Sequence, residues 1–223
     1  MDKGSLRERI FNKIREDILA GNYKHEEELK ETTIGNELGA SRTPVREALR
    51  QLELEGLVTI IPNKGAYVTG ITAKDIEDIY EARSLLEGLC AKRAIKYISP
   101  QQLKALEDNI ELSEFYEQKN NYEQVWELDS RFHEMLYQAS SSKILEHLLS
   151  NFHHYVQRVR KITIATEGRA KKSNEEHKRI VEAIKAKNPD LANELANKHV
   201  MNTIKNIDTY GLENILAASS SQE

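Results

Sequence analysis

Four side chains in the second half of the chain, Asp129, His133, His177 and His199, are of the types that hold a transition metal. Imidazole nitrogen combined with carboxylate oxygen suits Zn, Ni, Co, Fe or Mn. Each of the four lies on an apolar stripe at helical spacing. Asp129 and His133 belong to Tyr122, Val125, Trp126, Asp129, Phe132, His133, Leu136 and Tyr137. His177 heads His177, Ile180, Val181 and Ile184, and His199 follows Leu191, Leu195 and Ala196. Such spacing turns all four inward. A buried, unpaired aspartate is costly, and such groups persist when paired or metal-bound. A single inward histidine is most often a hydrogen-bonded core residue, but four such residues on compatible faces favour a metal. His25, His147, His153 and His154 lack this placement and read as surface or ordinary packing residues.

A second constellation is Arg83 and Glu87, one turn apart on the stripe Ile76, Ile79, Tyr80, Arg83, Glu87, Cys90, Ala94. On an exposed face this is a structural ion pair worth a few tenths of a kcal/mol. On an inward face, Arg83 can clamp an anionic ligand through a bidentate carboxylate contact. Cys90 reads as a small buried hydrophobe.

A third is the row Arg42, Arg46 and Arg50 on the stretch from Gly39 to Gly56. Val45, Ala48, Leu49 and Leu52 form the apolar stripe of this helix. Ser41, Arg42 and Thr43 open it, and Pro44 is tolerable in a first turn. An arginine edge entered through small hydroxyl residues suits a DNA major groove. The stretch alone fits an amphipathic helix with solvated charges equally well.

These residues need elements to position them. Leu6, Ile10, Ile14, Ile18 and Leu19 predict a first helix ending at Gly21-Asn22. A second covers about Glu31 to Leu38, and a glycine-containing turn leads into the arginine helix, the helix-turn-helix arrangement. Leu57 to Ile61, Pro62-Asn63-Lys64-Gly65 and Ala66 to Thr69 predict a β-hairpin, so the order spells a winged helix with Lys64 near the hairpin tip. From Ile71 onward the pattern predicts six helices, at about 73–97, 100–118, 122–139, 142–166, 171–187 and 189–215. Ser99-Pro100 and Asn188-Pro189 are cap-plus-proline starts. The expected fold is therefore mainly α: a winged helix-turn-helix domain at 1–70, an all-α six-helix domain at 71–218 and a tail at 219–223.

Composition narrows the setting. Thirty-two Lys/Arg against 36 Asp/Glu give a net charge of −4, and residues 1–70 hold eleven Lys/Arg against twelve Asp/Glu. Attraction to DNA must then come from local positive charge around Arg42, Arg46, Arg50 and Lys64. No apolar run approaches the ~20 residues that span a bilayer. The start of the chain lacks a signal-peptide profile. Cys90, the single cysteine, permits no internal disulfide and fits a reducing cytoplasm.

The N-terminal residues resemble the GntR family of bacterial transcription regulators. The likeness rests on Leu29-x-Glu31, Gly39-x-Ser41-Arg42-Thr43-Pro44-Val45-Arg46-Glu47-Ala48-Leu49, Leu52-x-x-x-Gly56-Leu57 and Lys64-Gly65-Ala66-x-Val68. It implies that Ser41, Arg42, Thr43 and Arg46, with the wing residues Asn63, Lys64 and Gly65, contact bases or phosphates. Thr32 departs from the pattern, standing where some members place a DNA-contacting arginine. The second half resembles the FadR-type FCD ligand-binding domain, in its VanR-like, metal-containing branch. Here the matches are Asp129-x-x-x-His133, Glu176-His177, His199 and Arg83-x-x-x-Glu87.

That resemblance implies a metal centre of Asp129, His133, His177 and His199 that binds a small carboxylate effector, with Arg83 and Glu87 at the effector site. One divalent transition metal per chain is expected, Zn or Ni foremost, then Fe, Co or Mn. The expected partners are operator DNA, the effector and a second copy of the chain, because paired recognition helices read half-sites about 34 Å apart. The expected function is transcription regulation, as a repressor. A metal-dependent enzyme acting on a small carboxylate and a purely structural metal are the alternatives.

Overall fold

The computed structural model describes residues 5–166 and 168–210, the last five as backbone only. The expected reach of the final helix to 215, the domain end at 218 and the tail at 219–223 lie outside the described residues. Two compact units divide between Ala73 and Lys74. Among the described residues, no helix is long and apolar enough to cross a membrane.

The first unit contains α1 (Leu6–Ala20), α2 (Glu31–Glu37), α3 (Arg42–Leu54) and a hairpin of β1 (Val58–Ile61) and β2 (Gly65–Val68). Ile10, Ile14 and Ile18 of α1 are buried with Ile34 of α2 and Val45, Ala48, Leu49 and Leu52 of α3. The turn between α2 and α3 is tight: Ala40 N–H donates to the Gly35 carbonyl at 2.8 Å. α3 stops where Gly56 takes φ +75°. There Gly56 N–H donates to Glu53 O, and Leu57 N–H donates to Leu52 O, closing the helix and turning the chain into β1. The antiparallel register pairs Val58 with Val68 and Ile61 with Gly65. Pro62 and Asn63 form the hairpin tip, Asn63 in the left-handed region at φ +61°, and Lys64 N–H closes onto Ile61 O at 3.0 Å. A proline followed by a left-handed asparagine suits that turn.

The second unit is helical: α4 (Ala73–Tyr97), α5 (Pro100–Gln118), α6 (Tyr122–Ala139), α7 (Lys143–Ile164), α8 (Arg169–Lys185) and α9 (Pro189–Tyr210). Both proline starts form. Ser99 and Gln102 make a reciprocal capping box before α5, and Asn188 Oδ1 accepts from Leu191 N–H before α9. α8 begins and ends two residues earlier than its apolar pattern suggests, between left-handed Gly168 and left-handed Lys187. Leu106, Ile110, Phe132, Leu136, Tyr137, Ile180 and Ile184 fill the core, joined by Cys90. The fold is thus a winged helix-turn-helix followed by a six-helix bundle.

α4 and α9 approach closely because Gly88 has no side chain. A Cβ there would lie 2.9 Å from the Asn193 carbonyl oxygen and 2.7 Å from its Oδ1. Gly88→Ala must therefore push α9 away from α4, and it should lower bundle stability by roughly 1–3 kcal/mol. Denaturant unfolding followed by helical circular dichroism measures this, and an unchanged midpoint would mean that the two helices adjust freely.

Candidate metal centre and nucleic-acid interface

α6 presents Asp129 and His133 one turn apart, α8 presents His177 and α9 presents His199. All four are buried, and one ligand atom from each lies within 4.8 Å of those of the others. His199 Nε2 is 3.2 Å from His177 Nε2 and 3.3 Å from His133 Nε2. Behind the ring of His133, its Nδ1–H donates to Glu87 Oε2 at 2.5 Å. Behind His199, Nδ1–H donates to Glu176 Oε2 at 2.7 Å. His177 is set differently, stacked on the Phe132 ring with centroids 3.7 Å apart.

These bonds decide which nitrogens carry protons. Burial raises the Glu87 carboxyl, but His133 and Arg83 outweigh it and hold Glu87 well below its ordinary value. Glu176 is likewise brought down to about 2, against burial, by its bond to His199 and by Arg169. Ionised carboxylates accept only, so Nδ1 of His133 and of His199 must be the protonated nitrogen. Burial also lowers His133 to about 4, opposed by Glu87, so that its ring is neutral near pH 7. Its Nε2 then presents a lone pair toward the Nε2 of His199, 3.3 Å away. A cation held between the rings would draw on that lone pair. Carboxylate-backed imidazoles of this kind are the usual second layer of a metal site. Asp129 offers Oδ1, which accepts from Ser173 Oγ at 2.9 Å and lies 3.7 Å from His177 Nε2. Its Oδ2 accepts from Arg160. The donor set fits a divalent transition metal.

Beside the cluster is a cavity of about 20 Å³, walled by Tyr80, Arg83, Arg160 and Arg169 together with Asp129, His133 and His199. That space suits a water or two, each taking roughly 10–15 Å³. Two buried donors on its wall, Arg83 Nη1 and Tyr80 Oη, have no hydrogen-bond partner among the described residues. Buried polar atoms are rarely left so. Glu87 lies behind this wall, not on it. Its Oε1 accepts from Arg83 Nε and Nη2 at 3.1 and 2.6 Å and from Tyr137 Oη at 2.8 Å.

Sequence reading did not single out Arg160, His153, Arg169 or Ser173. His153, taken there as a surface or ordinary packing residue, is buried on α7, and its Nδ1 accepts from Arg160 Nη1 at 2.6 Å. The available signal was the spacing of His153, Val156 and Arg160 on one face of α7. Glu176 was visible only as the neighbour of His177.

In the first unit, Ser41 is the N-cap of α3, yet its side chain makes no capping hydrogen bond. Arg42, Thr43, Arg46, Asn63 and Lys64 are exposed, as is Ser41, and Gly65 is half-buried. A groove between α3 and the hairpin is lined by Arg46, Arg50, Leu49, Ile61, Asn63 and Gly65, among others. Ser41, Arg42, Thr43 and Lys64 lie outside it. Arg46 is held from α2: its Nε and Nη2 each donate to one oxygen of Glu31 at 2.8 Å.

A winged helix-turn-helix joined to a helical bundle with an inward polar centre defines a one-chain DNA-binding regulator. The comparisons make the class specific. Residues 6–68 match the gntR family of bacterial regulatory proteins, and residues 78–202 match the FCD domain. The chain belongs to the GntR family and is a DNA-binding transcriptional regulator with an FCD domain; such proteins are regulators, not enzymes. It is 31% identical over 209 residues to the HTH-type transcriptional regulator YdhC of Bacillus subtilis, covering 92% of this chain and 93% of that one. It is 28% identical to the gluconate operon transcriptional repressor of the same organism, over 86% of this chain and 80% of that one. Among solved structures, Escherichia coli McbR/YncC shares the fold with a TM-score of 0.72 at 22% identity, over 93% of this chain and all of that one.

The buried imidazoles set a pH dependence. Burial and Arg160 push His153 down to about 2, and burial pushes His133 down to about 4, each from an ordinary 6.5. The unfolded chain therefore binds more protons below pH 6.5, so this contribution to stability is full above that pH and shrinks as acid is added. Urea unfolding of chelator-treated protein should show midpoints falling steadily from about pH 7 to about pH 4.5. Level midpoints across that range would mean that these rings are not held neutral.

Proposed function

We propose that the chain is a homodimeric repressor whose operator affinity is set by a small carboxylate effector bound at a metal centre in the helical unit. The observation that carries this reading is the juxtaposition in one buried place of convergent imidazole nitrogens and two donors without partners among the described residues, Arg83 Nη1 and Tyr80 Oη. Asp129, His133, His177 and His199 would hold the metal, one per chain, with Zn or Ni foremost. When bound, the metal supplies a Lewis-acidic centre with positions open to an effector oxygen.

The protein's own groups do the rest. Arg83 donates from Nη1 to the effector carboxylate, with Tyr80 Oη as a second donor. Glu87 keeps Arg83 in place through two bonds and turns His133 so that Nε2 faces the centre. The effector must be small, or wall side chains must swing aside, because the cavity is about 20 Å³. At the other unit, Ser41, Arg42, Thr43 and Arg46 contact bases or phosphates, and Asn63, Lys64 and Gly65 approach the backbone from the wing. The unspent hydroxyl of Ser41 supports that role. Similarity to the gluconate operon transcriptional repressor supports the sign of regulation.

Two measurements test this. Elemental analysis of protein purified without an affinity tag should find about one transition metal per chain, lost in Asp129→Ala or His177→Ala; full retention in both variants would refute the centre. A labelled duplex from the protein's own promoter region should bind, and binding should change on adding candidate carboxylates or a chelator. Arg46→Ala should weaken that binding about tenfold or more. A metal whose removal melts the protein without altering effector affinity would instead be structural.

A further inference from the structure

We infer that Glu31 is a specificity-determining positioning residue, which holds Arg46 so that it reads a guanine in each operator half-site. The inference rests on the reading above that α3 and the wing face DNA.

The geometry is a fork locked on one side. Arg46 Nε and Nη2 each donate to a separate Glu31 oxygen, both at 2.8 Å. This occupies the lateral edge of the guanidinium. The terminal edge, Nη1 with the remaining Nη2 hydrogen, is left to point outward, and Arg46 keeps 53% of its side chain exposed. Two parallel donors on a planar edge match O6 and N7 of guanine, the commonest specific contact in a major groove. A phosphate can also take such a fork, so the base is favoured by the position of Arg46 on the second helix of the helix-turn-helix, the one that enters the major groove.

Glu31 is itself well placed to serve as the clamp. It is the first residue of α2, where the helix N-terminus favours negative charge. The Arg46 hydrogen bonds lower its carboxyl further, against the opposing effect of burial. The carboxylate also disfavours a phosphate at that spot through like-charge repulsion. The other arginines of α3 differ. Arg50 pairs with Glu47 of its own helix by one bond at 3.2 Å, and Arg42 is the first residue of α3. Arg46 is the one gripped from a second helix, so its direction follows α2 as well as α3. A guanidinium held in this way loses less side-chain freedom on binding.

The test uses the full-length chain and a random duplex pool. Wild-type protein should select sites with an invariant G·C pair in each half. Replacing that guanine by 7-deazaguanine, which lacks the N7 acceptor, should weaken binding about tenfold or more. Glu31→Gln removes the charge, and Glu31→Asp keeps it but falls short of both bonds. Each should cut the preference for that G·C pair about tenfold, while the salt dependence of binding stays that of wild type. Thermal unfolding identifies any variant that fails to fold, and the other variant then decides. Variants that keep the wild-type preference, or a wild type indifferent to 7-deazaguanine at every selected guanine, would overturn the inference. A wild type that selects no sequence at all gives a different result, the failure of the DNA-reading face itself.

Discussion

The helical unit turns on two hydrogen bonds, His133 Nδ1–H to Glu87 and His199 Nδ1–H to Glu176. They orient two rings at once and turn both Nε2 atoms toward the same point. Each carboxylate is in turn held by an arginine, Glu87 by Arg83 and Glu176 by Arg169. The centre is therefore a set of layered pairs, in which every charge that packing hides from water has an opposite beside it. Because the partners come from α4, α6, α8 and α9, the helices cannot shift independently without breaking at least one pair. The close passage of α4 over Asn193 at Gly88 belongs to the same requirement, since it holds the helix carrying Arg83 and Glu87 against the one carrying His199.

The winged unit solves an opposite problem with little charge to spare. A net negative chain gains nothing from bulk electrostatics when it approaches a polyanion. What it has is a rigid helix end whose first hydroxyl is not used for capping, and arginines set one turn apart. The hairpin adds a basic tip shaped by Pro62 and left-handed Asn63. Acidic residues so near this face are not idle, as the Glu31–Arg46 pairing shows.

Much of this was legible from residue order. Hydrophobic periodicity located the helices, the Ser-Pro and Asn-Pro starts located two of their ends, and inward spacing marked Asp129, His133, His177 and His199. What escaped was set by tertiary placement. α7 carries none of the four donors, so the shared face of His153, Val156 and Arg160 gains its meaning only from the packing of that helix beside Asp129. The Arg83–Glu87 spacing was plain, but not that Glu87 would sit behind His133 while Arg83 alone reaches the cavity. Glu31 and Arg46 are fifteen residues apart, beyond the reach of helical spacing, and meet because the turn at Gly35 and Ala40 folds α2 back onto α3.

The locked tautomers carry a further consequence for how such a centre would fill. Donors that hold protons must shed them to take up a cation, so that loading acidifies the surroundings and competes with ambient acidity. His133 already presents an unprotonated Nε2, and Asp129 is kept ionised, against burial, by Arg160. Neither of these two donors would have to release a proton to take up a cation near neutrality. Their share in holding a metal would then stay indifferent to modest swings in acidity.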